Sequence, residues 1–183
     1  VWHNNGEMAV TKRDMPPLDH AALERMALRY VERFATTRAR LASYLRRKIM
    51  ERGWDGPAAD PVGIAARMAE LGYVDDRAFA EAKAKSMARR GLGARRVTAA
   101  WRAAGVEEED ASALSPEVAE RAVEAAFLFA RRRRFGPFAA EQPDRARREK
   151  QVAAMVRAGH GADLSRRIVR MAPGEDVNIL LDG

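Results

Sequence analysis

Apolar residues return at helical spacing through most of this chain, in short stripes separated by Gly, Pro or small residues. Leu23, Met26, Ala27, Tyr30 and Phe34 make the first stripe, with Asp19 placed to cap it. Thr36 and Thr37 break it. Leu41, Tyr44, Leu45 and Ile49 make the second, with Arg38, Arg46, Arg47 and Lys48 largely on the opposite face and Gly53 as its stop. Asp60-Pro61 opens a third helix that turns Ile64, Met68 and Leu71 inward and ends at Gly72. Asp75 or Asp76 caps a fourth, in which Phe79 is the large anchor among Ala78, Ala82 and Met87. After the tight turn Gly91-Leu92-Gly93, the residues Val97, Ala100, Trp101 and Ala104 follow i, i+3, i+4, i+7 until Gly105.

Glu107 to Asp110 read as an acidic connector. Ser115-Pro116-Glu117 combines a hydroxyl cap, a Pro suited to the first helical position and an acid for the first turn. It predicts one long helix through Val123 and Phe127 to the run Arg131-Arg132-Arg133-Arg134, stopped by Gly136-Pro137. Asp144 opens a charged helix carrying Val152, Met155 and Val156, Gly159 closes it, and residues 162–171 form the last short helix. No stretch alternates with period two. The pattern predicts an all-α protein of about eight helices, with Trp101, Phe79, Leu45 and Tyr30 buried.

One unit recurs along these stripes. Ala35, Gly91 and Gly159 mark equivalent turns; Leu41, Val97 and Ser165 follow at one offset, and Leu45, Trp101 and Val169 at a second. In the third copy Leu164 and Ile168 flank the expected apolar slot. One such copy cannot bury its own apolar face, so neighbours are expected to stack. This predicts tandem three-helix repeats, resembling helix-turn-helix units, in an elongated, curved array. The repeats span 18–73, 74–137 and 138–172, with a flexible arm at 1–17 and a tail at 173–183.

Composition narrows the function classes. The net charge is +7, from 33 Lys and Arg against 26 Asp and Glu, which favours polyanions or an acidic protein surface as partners. The absence of Cys excludes disulfides and thiolate metal sites and fits a reducing, cytoplasmic setting. No apolar run nears the roughly 20 residues that span a bilayer. The polar opening is read as no signal peptide, and Val1 as a trimmed or alternative start. No catalytic, metal or cofactor motif stands out, and none is expected. Gly91-Leu92-Gly93 reads as a turn between helices, since a dinucleotide loop follows a strand. What remains is Arg89, Arg90, Arg95, Arg96, Arg131, Arg132, Arg133, Arg134, Arg147 and Arg148, recurring near turns and helix ends. These are the candidate contacts to a partner or nucleic acid. Arg131 to Arg134 also suit a helix C-terminus, where the macrodipole favours cations.

The stretch Gly72-Tyr73-Val74-Asp75-Asp76 with Phe79-Ala80 resembles the central signature of the RecX regulatory proteins. Arg90-Gly91-Leu92-Gly93 with Val97 and Trp101, the segment Ala130 to Phe138, and Arg157-Ala158-Gly159 with Asp163 to Val169 resemble that family's later segments in order. His160-Gly161-Ala162 stands where an aromatic-rich turn is expected. The resemblance covers about residues 20–171. It implies a non-enzymatic, monomeric modulator that binds the groove of the filament formed by the recombinase RecA on DNA and most often inhibits it. Contact with DNA is then weak or made through the filament. The alternative is a helix-turn-helix-like protein acting on DNA directly, with Arg95 and Arg96 near the start of the reading helix.

Overall fold

A computed structural model gives the structure of the protein and describes residues 15–180; most of the 1–17 arm and the end of the tail lie outside the described residues. Among the described residues there are nine α-helices and no strand beyond one isolated bridge, Leu18 to Trp54. The chain divides into two compact units, one ending at Asp75 and one beginning at Asp76.

The first unit is a three-helix domain of α1 (His20–Val31), α2 (Arg38–Arg52) and α3 (Pro61–Glu70). Each start is held by the side chain just ahead of it. Asp19 Oδ1 accepts from Ala22 N–H at 2.7 Å, Thr37 Oγ1 from Arg40 N–H at 3.2 Å and Asp60 Oδ1 from Gly63 N–H at 2.8 Å. Leu18, Leu23, Ala27, Leu41, Leu45, Ile64 and Met68 form its core. Tyr30 stacks on Tyr44 with ring centroids 4.2 Å apart, joining α1 to α2. Tyr30 is half-buried, not enclosed as expected, because this stack lies at the edge of the core. Phe34 and Leu71, both read as inward, are 54% and 50% exposed. Phe34 lies beyond the last turn of α1, and Leu71 is the C-cap of α3, so neither keeps the helical phase.

The second unit holds α4 (Asp76–Arg89), α5 (Ala94–Ala104), α6 (Glu108–Glu120), α7 (Ala122–Arg133), α8 (Arg145–Arg157) and α9 (Ala162–Arg170). Its first core joins α4, α5 and α6 through Ala80, Ala84, Met87, Val97, Trp101 and Leu114. Trp101 is enclosed, and its Nε1–H donates to the Ala80 carbonyl at 2.9 Å. The inward face of α4 is therefore Ala80, Ala84 and Met87, while Phe79, expected as the anchor, is half-buried and Ala78 and Ala82 are exposed. Small side chains along that face admit the indole.

The long helix expected from Ser115 onward is instead two helices, which raises the count from eight to nine. Of the acids expected to connect, Glu107 is the N-cap of α6 and Glu108, Glu109 and Asp110 are its first turn, where they meet the positive end of the helix dipole. Pro116 lies inside α6, and Ser115 is no cap; its Oγ donates back to the Ala111 carbonyl at 2.7 Å. Leu114, 2% exposed, explains the outcome: α6 supplies it to close the core over α4 and α5. Arg121 separates α6 from α7. The second core of this unit is Ala126, Phe127, Ala130, Met155, Ile168, Val169 and Met171, so α7, α8 and α9 form the last three-helix set.

The two sets meet backbone to backbone at their turns. Gly93 N–H donates to the Ala158 carbonyl at 2.9 Å, and Arg95 N–H to the Gly159 carbonyl at 3.2 Å. Gly136 and Gly159 both have positive φ, at 53° and 98°, a conformation that an L side chain adopts reluctantly.

Candidate docking surface

The second unit carries every arginine singled out above, and nine of the ten are exposed; Arg148 is half-buried. Their surroundings divide them. Arg132 forks onto the end of α4, its Nη1 and Nη2 donating to the Arg90 and Arg89 carbonyls at 2.9 and 3.0 Å. Arg96 Nε donates to the Arg157 carbonyl at 2.8 Å, at the end of α8. Arg148 donates to the Pro143 carbonyl at 3.2 Å. These three satisfy carbonyls left open at helix ends or loops, so part of the basic run is structural.

The others face outward. Arg131 lies over the Phe138 ring at 5.0 Å and Arg133 over Phe129 at 5.8 Å, contacts that orient a guanidinium but leave its donors open. Arg147 meets Glu141 at 3.5 Å on the surface. Arg89, Arg90, Arg95 and Arg134 make no side-chain hydrogen bond or ion pair with a described residue.

Two open grooves collect these charges. Lys85, Arg89, Arg121 and Arg132, with Glu124, line a groove of about 470 Å³ along α4 and α7. Arg133, Arg134, Arg147 and Lys150, with Gln151, line one of about 420 Å³ between the end of α7 and the start of α8. Arg90, Arg95, Arg96, Arg131 and Arg148 line neither. Sequence reasoning missed Lys85, Arg121 and Gln151. Arg121 sits at a helix junction that the sequence concealed inside one predicted helix, and a lone Gln in a charged helix gives no signal. No group of His, Asp or Glu suited to a metal occurs among the described residues, and no helix there is long and apolar enough to cross a membrane.

His160, in the turn between α8 and α9, is enclosed at the junction of turns. Its Nε2–H donates to the Gly91 carbonyl at 3.1 Å and its ring lies 5.5 Å from Phe129. A carbonyl partner requires the proton on Nε2. Burial lowers its pKa below the ordinary 6.5, and the bond to Gly91 opposes this only in part. The unfolded chain therefore takes up the proton first as pH falls. This contribution to stability is full above about 6.5 and is lost as pH drops through the lower folded-state value. Thermal melts between neutral pH and pH ~5 are expected to show a steeper fall for the native chain than for His160→Gln. Equal slopes would remove His160 from the pH response.

The fold defines a class: all-α proteins made of consecutive three-helix domains. The chain belongs to the RecX family. The family's description "RecX, second three-helix domain" matches residues 75–114, which hold α4, α5 and the first half of α6. The regulatory protein RecX of Myxococcus xanthus is 30% identical over 162 residues, covering 82% of this chain and 86% of that protein. That of Thermobifida fusca is 32% identical over 172 residues, covering 90% and 89%. A crystal structure of RecX from Lactobacillus salivarius shares the fold at 17% identity, with a TM-score of 0.63 over 88% of this chain and 96% of that one. The names of the relatives support a RecX regulatory role for this chain and fit a non-catalytic regulator.

Proposed function

We propose that this protein binds the RecA–DNA filament and lowers its recombinase and ATPase activity, acting as a monomer in the cytoplasm without a cofactor. The observation that supports this most is the set of outward-facing arginines in the second unit, while Arg132, Arg96 and Arg148 take the structural work. Separate three-helix domains give separate weak contacts, which add up on a repeating partner. Direct reading of duplex DNA fits less well. A helix-turn-helix uses the start of its second helix in the major groove. Here the start of α5 is met by the turn at Gly159, and Arg96 is held on the Arg157 carbonyl.

The test is co-sedimentation with RecA assembled on single-stranded DNA, together with the rate of ATP hydrolysis as this protein is added. Binding is expected to weaken steeply with salt, since screening acts over roughly 8 Å at 0.15 M. Arg133→Glu is expected to weaken co-sedimentation with little change in Tm, whereas Arg132→Glu lowers both, because it breaks the fork on α4. No co-sedimentation and no change in hydrolysis would overturn the proposal. A faster rate would keep the partner and reverse the sign. Tight, RecA-independent binding to free duplex would favour the direct-DNA alternative.

A further inference from the structure

The corner between α7 and α8 holds three features that a general basic surface does not explain. Arg134 is the one non-glycine residue among those described with a positive φ, at 57°. It ends α7 in the left-handed conformation, a position that Gly or Asn usually fills. Beside it lies the groove of about 420 Å³ lined by Arg133, Arg134, Phe135, Arg147, Lys150 and Gln151, with one carboxylate, Glu141, on its wall. Gln151, on the second turn of α8, is 7% exposed, and its Oε1 has no hydrogen-bond partner among the described residues. An enclosed amide oxygen without a donor is costly, and an apolar side chain of similar size would avoid that cost. Strain, concentrated charge and an unpaired acceptor therefore meet in one place.

We propose that this groove is a docking site for an acidic peptide segment in extended conformation. Its carboxylates meet Arg134, Arg147 and Lys150, and one of its main-chain N–H groups donates to Gln151 Oε1. On docking, the long side chains of Arg147 and Lys150 shift to admit that N–H. A carboxylate is the fitting anion because Arg147 already holds one, Glu141 of this chain, at 3.5 Å on the groove wall, and the segment's carboxylate displaces it from that exposed pair. A phosphodiester backbone carries no N–H or O–H donor, so it would leave Gln151 unpaired. A nucleobase does carry donors, but Phe135 is engaged edge-on with Phe129 at 6.3 Å, and the groove offers no second ring for stacking. The inference rests on the reading of this chain as a regulator of a protein filament and gives the chemistry of the partner segment.

The test uses the full chain and two fluorescent probes followed by anisotropy. One is the labelled peptide Gly-Glu-Asp-Leu-Glu-Asp-Gly, and the other is an oligothymidylate of roughly 20 nucleotides. Saturable binding of the peptide is expected. Gln151→Leu leaves the charge unchanged and is expected to weaken it about fivefold to tenfold, the worth of one hydrogen bond. Arg134→Gly is expected to weaken it about tenfold while Tm holds or rises, because glycine relieves the left-handed strain. Arg102→Ala removes an equal charge from an exposed position on α5 and is expected to change affinity less than about twofold. Equal losses for Arg134→Gly and Arg102→Ala, with Gln151→Leu unchanged, overturn the site in favour of diffuse charge. Tighter oligothymidylate binding with the same sensitivity to Gln151→Leu overturns the peptide in favour of nucleic acid. Absence of peptide binding overturns the inference alone if the chain still co-sediments with the RecA filament, and together with the proposed function if it does not.

Discussion

Trp101→Ala is expected to destabilise the second unit by about 3–5 kcal/mol, the range for removing a fully buried large aromatic side chain. The side chain is 1% exposed and is the largest one enclosed. Ala80, Ala84, Met87, Val97 and Leu114 surround it, supplied by three helices. Ala80 and Ala84 have no rotamer with which to fill the space, so any closure falls to Met87, Val97 and Leu114. The indole also ties two helices directly, through the 2.9 Å bond from Nε1–H to the Ala80 carbonyl. Trp101→Phe keeps most of the volume and loses that bond, so a smaller loss of about 1–2 kcal/mol is expected. Urea denaturation followed by circular dichroism measures both. A loss below about 1 kcal/mol for the alanine variant would mean that the core closes without the indole.

The accuracy of the sequence reading follows the range of the physical signal. Asp19, Asp60 and Asp144 act on N–H groups three residues away, so these helix starts were legible. Trp101 was legible as core because an uninterrupted apolar stripe and the Gly105 stop agree with each other. Ser115-Pro116-Glu117 misled because its local pattern is that of a helix start, while the deciding contact, Leu114 against α4 and α5, is tertiary. The phase of α4 was lost for a similar reason. Among so many alanines the only visible anchor was Phe79, and the true inward face is the one that leaves space for Trp101.

For the surface, the arginines could be named but not sorted. Arg132 reaches carbonyls 42 and 43 residues earlier, and Arg96 one 61 residues later. Nothing in the local sequence of either distinguishes it from Arg133 or Arg95. His160 does lie in the turn after α8, but its enclosure was not legible, because the Gly91 carbonyl that its ring meets is 69 residues away. Side chains whose partners are that distant in sequence take their roles from the fold alone.

Gly93→Ala is expected to cost about 3 kcal/mol or more, against almost nothing for Gly161→Ala, although both glycines stand just ahead of a short second helix. The difference does not come from backbone conformation. Gly93 has φ −80° and Gly161 has φ −63°, values that any residue adopts. It comes from space. A Cβ on Gly93 would stand 2.3 Å from the carbonyl carbon of Gly159, 2.4 Å from its oxygen and 2.5 Å from the His160 nitrogen. All three are backbone atoms, so no rotamer change relieves the clash and the two turns must separate. Separation lengthens the bonds from Gly93 to Ala158, Arg95 to Gly159, Arg96 to Arg157 and His160 to Gly91. Each is worth about 1 kcal/mol net, on top of an overpacking cost of about 1–3 kcal/mol. A Cβ on Gly161 meets nothing within 4 Å, and alanine there restricts the unfolded chain, offsetting the slightly poorer cap. Thermal melts rank the two variants, and hydrogen exchange at the Arg95 amide locates the damage. In the glycine protein that amide is held by the Gly159 carbonyl, and in Gly93→Ala it is expected to exchange faster than amides in the middle of α5. If Gly93→Ala melts with the native protein and Arg95 stays protected, the last two three-helix sets are not joined through these turns.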